Sequence, residues 1–359
     1  MRREDFDSDL FVGRGTLLTQ LERWADEFNP THRLWSVTGA PGTGKSWVLA
    51  AAYEKLKQDP SRPVFWIDMS KGEDGTTSQD FSKEADRANW LHLAVTSAQR
   101  QFSTIRQYDH SIPFEAMLDA FLRDLCDPKN MMRAPVFFVD GFEEMDQQSR
   151  VEIEERMLLR LFGSTSARLV IALRDEFSIK SPGLRWNENR LHIGPLSTDE
   201  GKSQLEKRAS KIQYMIPNLG SLLKSIPPYQ WNHPYANVWL SERATNNRQV
   251  NVERFLLTTD LEECLDELAK PQPLATNTFE CLVALAHLRA PRPDQFLDTW
   301  MDLDMFSQLG IRSNSSDIEQ LFEIGFITTI PKGPTKKVAD GVRELARAWK
   351  RLNEEESQA

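Results

Sequence analysis

A glycine-rich segment near the N-terminus carries the residues best suited to chemistry. Residues 39–46, GAPGTGKS, match the G-x-x-x-x-G-K-[ST] pattern of a phosphate-binding loop, whose backbone amides wrap closely around phosphate oxygens. We expect Lys45 to neutralise the β- and γ-phosphates of a nucleotide and the Ser46 hydroxyl to coordinate Mg²⁺. The residues predicted to bind nucleotide in and beside this loop are Gly39, Pro41, Gly42, Thr43, Gly44, Lys45, Ser46 and Trp47.

An acidic cluster lies about a hundred residues further along the chain. The apolar run 136–139 ends in Asp140, which is typical of the Walker B segment that holds Mg²⁺ through water. Either Glu143 or Glu144 can then orient or deprotonate the attacking water. Glu143 is the preferred candidate, because Glu144 could equally be a solvated carboxylate at the start of a helix.

Arginines form the third group of candidates. Arg174 follows the apolar run 169–173, so it would lie at the sheet edge where ligands bind and could sense the γ-phosphate. The alternative is an ion pair with one of the two acidic residues that follow it. Arg185 and Arg190, expected in a loop before Leu191, could reach a neighbouring subunit as an arginine finger or simply be solvated.

Strand and helix patterns alternate through the first half of the chain. The predicted strands are residues 34–38, 64–67, 136–139, 169–173 and 191–193. The predicted helices are residues 45–57, 114–125 (opened by Pro113) and 151–162, while 70–112 is a polar insertion leading into a moderately helical stretch. This alternation predicts an α/β fold, a three-layer P-loop NTPase domain with a parallel sheet.

The second half predicts a different architecture. A helix capped by Ser197 or Thr198 runs through 205, and helical stretches continue to about 257. Helices at 279–288, 293–301 and 316–323, a hairpin from 326–330 and a final helix at 340–352 outline a winged helix. The expected domains are the P-loop domain (1–196), a helical lid (197–270) and the winged-helix domain (271–359).

Composition narrows the class of protein. The 359 residues include 44 Lys plus Arg and 53 Asp plus Glu, so the net charge of −9 argues against a surface that coats nucleic acid or anionic membrane as a whole. Three widely spaced cysteines disfavour a disulfide scaffold and favour a reducing cytosol. Neither a signal peptide nor a membrane-spanning run is visible, and a cytoplasmic location is predicted.

Taken in order, these segments resemble the STAND class of signal-transduction ATPases, NB-ARC-like relatives of the AAA+ proteins. Residues 11–14, FVGR, resemble the family's N-terminal hhGR segment, which packs near adenine in relatives and implies that Val12, Gly13 and Arg14 bind nucleotide. Residues 232–235, NHPY, resemble the lid segment whose proline, here Pro234, contacts the base. Ala339 replaces the histidine that some members use to contact the β-phosphate.

The resemblance implies a nucleotide-controlled switch. ADP would hold the winged helix against the nucleotide domain, and ATP would release it to permit oligomerisation. The expected protein is therefore an ATPase of low turnover that uses ATP/ADP and Mg²⁺ in a signalling or defence-type pathway. Its expected partners are further copies of itself and an unidentified protein effector.

Two other functions stay open. The first is a DNA-associated AAA+ ATPase resembling origin-recognition or transposon-regulator proteins, because Arg248 precedes an apolar helix (250–257) much as a sensor-2 arginine does. Basic residues of the wing and final helix could meet DNA phosphates or merely keep the helix soluble: Lys332, Lys336, Lys337, Arg343, Arg347, Lys350 and Arg351. The second is a scaffold that binds ATP without hydrolysing it.

Overall fold

A computed structural model gives the three-dimensional structure of the chain. It describes residues 6–28, 30–69, 81, 83–102, 105–108, 112–127, 133–145, 147–163, 166–175, 177–212, 234–235, 237, 264–265, 269, 274–287, 315–324, 326–329, 336–338 and 346.

Five parallel strands form the central sheet, in the order β2-β3-β4-β1-β5. The strands are β1 (Leu34–Thr38), β2 (Val64–Asp68), β3 (Val136–Asp140), β4 (Arg168–Leu173) and β5 (Glu188–His192). Because all five run in the same direction, the carboxyl ends of β1, β3 and β4 meet at one edge of the sheet. This arrangement confirms the predicted parallel α/β fold.

β5 differs from the prediction, which placed the last strand at 191–193. It begins at Glu188 and ends at His192. Its first three residues, Glu188, Asn189 and Arg190, are polar and gave no strand signal. They are strand because their backbone pairs with β1, opposite residues 34–36, at the outer edge of the sheet.

Helices account for most of the remaining described residues up to 212. They are α1 (Gly15–Asp26), α2 (Lys45–Lys57), α3 (Glu84–Gln101), α4 (Phe114–Leu125), α5 (Gln147–Ile153), α6 (Leu159–Gly163), α7 (Pro182–Arg185) and α8 (Thr198–Ile212), with a π-helical segment, Glu154–Leu158, joining α5 to α6. The predicted bounds of α2 and α4 are confirmed, and Pro113 is the N-cap of α4 rather than its first residue.

Apolar side chains on both faces of the sheet form the core. On one face Phe65, Phe137 and Ile171 pack with residues of α3, α4 and α6. On the other face Phe138 and Val170 pack with residues of α1 and α2. Every residue of β3 is buried, as expected for a strand covered on both faces, so the domain has the three predicted layers.

The described residues near the C-terminus form two helices and a hairpin, α9 (Thr276–His287), α10 (Ser315–Glu323), β6 (Ile327–Thr329) and β7 (Lys336–Val338). β6 pairs antiparallel with β7, and the Thr278 hydroxyl on α9 donates to Asp317 on α10 at 2.7 Å. Two of the four predicted helices and the hairpin are therefore confirmed.

Several predictions for this half lie outside the described residues. They concern the helices at 293–301 and 340–352, Asn232, Arg248 and Ala339, and the basic residues other than Lys336 and Lys337 of β7. The winged helix, the domain limits and the DNA contacts stay predictions. Within the described ranges, no helix is both long enough and apolar enough to cross a membrane.

The sheet core supports a stability prediction. Phe137 is 0% exposed and its ring stacks on Phe65 with 4.9 Å between centroids. We expect Phe137→Ala to lower the free energy of unfolding by roughly 3–5 kcal/mol, because it removes buried area and leaves a cavity. Urea unfolding measures the change. Phe28→Ala is the control, since Phe28 is 93% exposed and its loss should cost less than about 0.5 kcal/mol. Equal effects would contradict this packing.

Candidate nucleotide-binding site

The glycine-rich segment connects β1 to α2. Gly44 is the N-cap of α2 and has a φ of 91°, a left-handed conformation that favours glycine. The hydroxyl of Thr43 donates to the carbonyl oxygen of Ala40 at 2.8 Å, inside the loop. The loop therefore holds its shape by its own hydrogen bonds and presents the N-terminus of α2, where an anion is favoured.

Lys45 lies at the centre of this loop and is only 7% exposed. Its ammonium donates to the carbonyl oxygens of Gly39 at 3.0 Å and Ala40 at 3.1 Å. Its Nζ lies 3.9 Å from Oε1 of Glu143. A buried cation is thus held where phosphate oxygens would enter, and it can exchange these carbonyl acceptors for them.

Ser46 and Asp140 meet across the carboxyl edge of the sheet. The Ser46 hydroxyl donates to Oδ1 of Asp140 at 3.0 Å, although the two residues lie on α2 and at the end of β3. A hydroxyl oxygen and a carboxylate oxygen in contact are hard ligands of the kind that Mg²⁺ takes alongside nucleotide phosphates. The residues present therefore fit a Mg²⁺ site.

Glu143 completes the polar end of the site. It lies in the short 3₁₀ turn Phe142–Glu144, directly after β3, and its side chain is 9% exposed. Its Oε2 is buried and has no hydrogen-bond partner within the described part of the chain. A buried carboxylate oxygen without a donor is costly, and a water molecule held there would relieve it. Glu144 belongs to the same turn.

A mostly apolar cavity adjoins the loop at Thr43 and Gly44. Counting the solvent at its mouth, it encloses about 290 Å³. Its lining residues are Phe11, Val12, Arg14, Thr43, Gly44, Trp47, Val48, Leu196, Gln204 and Pro234. Apolar walls with a few polar groups are typical of sites that bind a planar ligand such as a base.

The N-terminal segment closes one side of this cavity. Gly13 has a φ of 66°, which favours glycine, and a Cβ there would lie 2.3 Å from Oε1 of Glu200 on α8, so a larger residue would displace that carboxylate. Arg14 donates through Nη2 to the carbonyl oxygen of Gly194. Burial lowers the pKa of Arg14, and the carboxylate of Glu200 partly opposes that change. The predicted Val12, Gly13 and Arg14 thus lie at the cavity because this segment packs against α8.

Pro234 closes the cavity from the other side. A Cβ added at Gly44 would lie 3.9 Å from Cγ of Pro234, so the proline packs against the loop. The backbone amide of Tyr235 donates to the carbonyl oxygen of Gly42 at 3.3 Å. The structure therefore brings the predicted Pro234 onto the phosphate-binding loop, although nearly two hundred residues separate them.

A family model confirms the resemblance noted from the motifs. The model of Novel STAND NTPase 1 (nSTAND1) matches residues 3–223, more than half of the chain. The chain belongs to this family.

Solved structures give more distant likenesses. The Thermotoga maritima RuvB Holliday junction branch migration motor is 14% identical, with 98% of each chain covered and a TM-score of 0.44. Domain III of the T. maritima replication initiation protein DnaA is also 14% identical and covers 74% of this chain and 99% of its own, with a TM-score of 0.41. No curated protein matches the chain.

The structure of this STAND NTPase also shows site residues that no motif predicted. Gln204 is buried in the cavity wall, and its Oε1 accepts from Nδ2 of Asn237 at 2.9 Å. Further along α8, the Arg208 guanidinium lies 5.9 Å from the Trp47 ring centroid. Glu200, Gln204 and Arg208 recur at intervals of four residues, so they share one face of the helix. That spacing of polar residues is the sequence signal that could have found them.

The first turn of α8 is held by side-chain hydrogen bonds that involve Glu200, the first residue of this face. Ser197 and Glu200 bond reciprocally, since the Ser197 amide donates to Glu200 at 2.9 Å and the Glu200 amide donates to the Ser197 hydroxyl at 3.3 Å. This is a capping box, and it confirms Ser197 as the cap of the helix. The same glutamate packs on Gly13, so the cap also fixes the N-terminal segment.

The arginine candidates have separate environments. Nη1 of Arg174 donates to the carbonyl oxygen of Ile324, after α10, at 2.9 Å. The following acidic residue, Asp175, instead contacts Nδ1 of His192 at 2.8 Å. Arg190 lies in β5 and not, as predicted, in the loop before it, and it donates to the carbonyl oxygen of Phe177 at 2.6 Å. Arg185 ends α7 and is exposed.

The position of Lys45 yields a binding prediction. We expect Lys45→Ala to weaken binding of Mg²⁺-ATP by about 100-fold, because charge-assisted bonds worth roughly 2–3 kcal/mol are lost. Isothermal titration calorimetry measures the affinity. Lys55→Ala is the matched control, since Lys55 is on the same helix but is half exposed and pairs with Glu22. If Lys45→Ala binds ATP as tightly as the parent, the phosphate site is wrongly assigned.

Proposed function

We propose that the chain binds ATP and ADP with Mg²⁺ at this site and hydrolyses ATP slowly. Its nucleotide state would control self-assembly or recruitment of a protein effector in a signalling or defence-type pathway. The observation that carries the proposal is the convergence of Lys45, Ser46, Asp140 and Glu143, from two separate parts of the sequence, at one edge of the sheet. Membership of the STAND NTPase family supports it.

Hydrolysis in such a site depends on positioning and on neutralising charge. Lys45 would exchange the carbonyl oxygens of its loop for phosphate oxygens, and Ser46 and Asp140 would hold the metal ion. Bound Mg²⁺ would supply further neutralisation of phosphate charge. Glu143 would use its unpaired Oε2 to accept a hydrogen bond from the attacking water, which orients it and favours loss of its proton.

The contact of Arg174 suggests how the nucleotide could control conformation. Arg174 lies at the end of β4, between the strands that carry the loop and Asp140, and it binds a carbonyl oxygen beyond α10. A γ-phosphate at that edge would compete for the guanidinium, and an ionic acceptor binds it more strongly than a neutral one. ATP would therefore release the residues around Ile324, while ADP would leave their contact intact, a two-state equilibrium biased by one phosphate group.

Catalysis can be tested through Glu143. We expect Glu143→Gln to lower the single-turnover rate of ATP hydrolysis by about 100-fold while ATP affinity changes little, because the amide cannot accept the proton. Rapid-quench assays with excess enzyme give the rate, and calorimetry gives the affinity. Glu144→Gln, measured in parallel, should lower the rate less. A parent protein that is no faster than Glu143→Gln would indicate the scaffold that binds ATP without hydrolysing it.

The switch can be tested through Arg174. We expect the parent to be monomeric with ADP and larger with a non-hydrolysable ATP analogue, as measured by light scattering. In Arg174→Ala this difference should disappear, because the side chain that distinguishes the two nucleotides is gone. Arg23→Ala is the control, since Arg23 is an exposed residue of α1. If Arg174→Ala keeps the parent's difference in mass, Arg174 is not the sensor.

A further inference from the structure

One residue that lines the cavity beside the loop, Trp47, carries a polar atom that takes no part in the phosphate site. Trp47 is the third residue of α2, is 3% exposed and lines the cavity. Its ring meets Phe6 edge-on, with 5.6 Å between centroids, and the Arg208 guanidinium lies over it. These neighbours fix the indole from two sides, so its N–H occupies a defined position.

Nε1 of Trp47 is buried and has no hydrogen-bond partner among the residues that the structure describes. Two other buried tryptophans have partners: Nε1 of Trp24 donates to the carbonyl oxygen of His32 at 2.6 Å, and Nε1 of Trp90 donates to the carbonyl oxygen of Trp66 at 3.0 Å. A buried N–H without an acceptor destabilises the folded chain, so one in the wall of a ligand cavity calls for an explanation. An acceptor supplied by a ligand provides one.

We propose that Nε1–H of Trp47 donates a hydrogen bond to a ring nitrogen of the adenine base bound in this cavity. The inference rests on the proposed function, because it assumes that the cavity holds the base of the nucleotide. The loop binds phosphates, which all nucleotides share, so selection among bases must come from the cavity. Its apolar walls supply surface for the faces of the base but no partner for its edge.

A second polar side chain, that of Gln204, lies in the cavity wall. Its Oε1 accepts from Asn237 and keeps a second lone pair, and its amide nitrogen is a donor. Trp47 offers only a donor. The ring nitrogens N1, N3 and N7 of adenine are all acceptors, so each of them can accept from that N–H.

The experiment removes the N–H and the nitrogen separately. Trp47→Phe keeps an aromatic ring but lacks the donor, while 1-deaza-, 3-deaza- and 7-deaza-ATP each lack one acceptor. Calorimetry with Mg²⁺ measures the affinity of both proteins for ATP, for the three analogues and for tripolyphosphate, which has no base. Trp186→Phe is the control substitution, since Trp186 is 84% exposed and lies outside the cavity.

We expect one analogue to bind the parent about tenfold more weakly than ATP does, the size expected for one hydrogen bond. Trp47→Phe should bind ATP about tenfold more weakly than the parent does. It should bind that analogue no more weakly than it binds ATP, and its affinity for tripolyphosphate should equal that of the parent. Trp186→Phe should match the parent throughout.

Two results would overturn the inference while leaving the proposed function intact. In one, the parent binds ATP and all three analogues equally, which tests the contact without any substitution. In the other, Trp47→Phe binds ATP as tightly as the parent does. A parent that binds neither ATP nor tripolyphosphate would instead contradict the proposed function itself.

Discussion

A buried ammonium group is the constraint on which the nucleotide site depends. A buried charge needs partners, and the ammonium of Lys45 has two loop carbonyls that accept its hydrogen bonds and Oε1 of Glu143 at 3.9 Å. Those carbonyls are in place because the loop is anchored by β1 on one side and α2 on the other, and both are packed in the core. The sheet and its covering helices therefore serve to hold one cation at a fixed point.

The charges around Lys45 explain why the site suits a metal ion together with an anion. The ammonium of Lys45 lies beside the carboxylate of Glu143, and the carboxylate of Asp140 is buried at the end of the same strand, β3. The Ser46 hydroxyl donates to Asp140, while Oε2 of Glu143 has no donor from any described residue. A divalent cation, a phosphate chain and a water molecule together would satisfy all of these groups. Burial strengthens the electrostatic interactions of each of these charges relative to their strength in water.

The two ends of the site contact different parts of the chain. At the base end, α8 lines the cavity through Gln204 and packs on Gly13 through Glu200. At the carboxyl edge of the sheet, Arg174 donates to the carbonyl oxygen of Ile324, which is 150 residues further along. A ligand that occupied both ends would thus lie beside residues that contact α8 and beside the residue that contacts the segment after α10. Such an arrangement can couple recognition of the base to retention of that C-terminal segment.

The sequence by itself determined the loop, the acidic strand and the parallel α/β fold. Residues 39–46 and the run that ends in Asp140 are local patterns, and apolar runs of strand length report burial directly. Only the tertiary structure decided that Oε2 of Glu143 has no partner among the described residues, that Gln204 and Trp47 line one cavity and that Arg174 binds Ile324. It also decided the start of β5, whose polar residues are strand because β1 pairs with them. These features depend on contacts between residues far apart in the chain, and no local pattern of residue types carries that information.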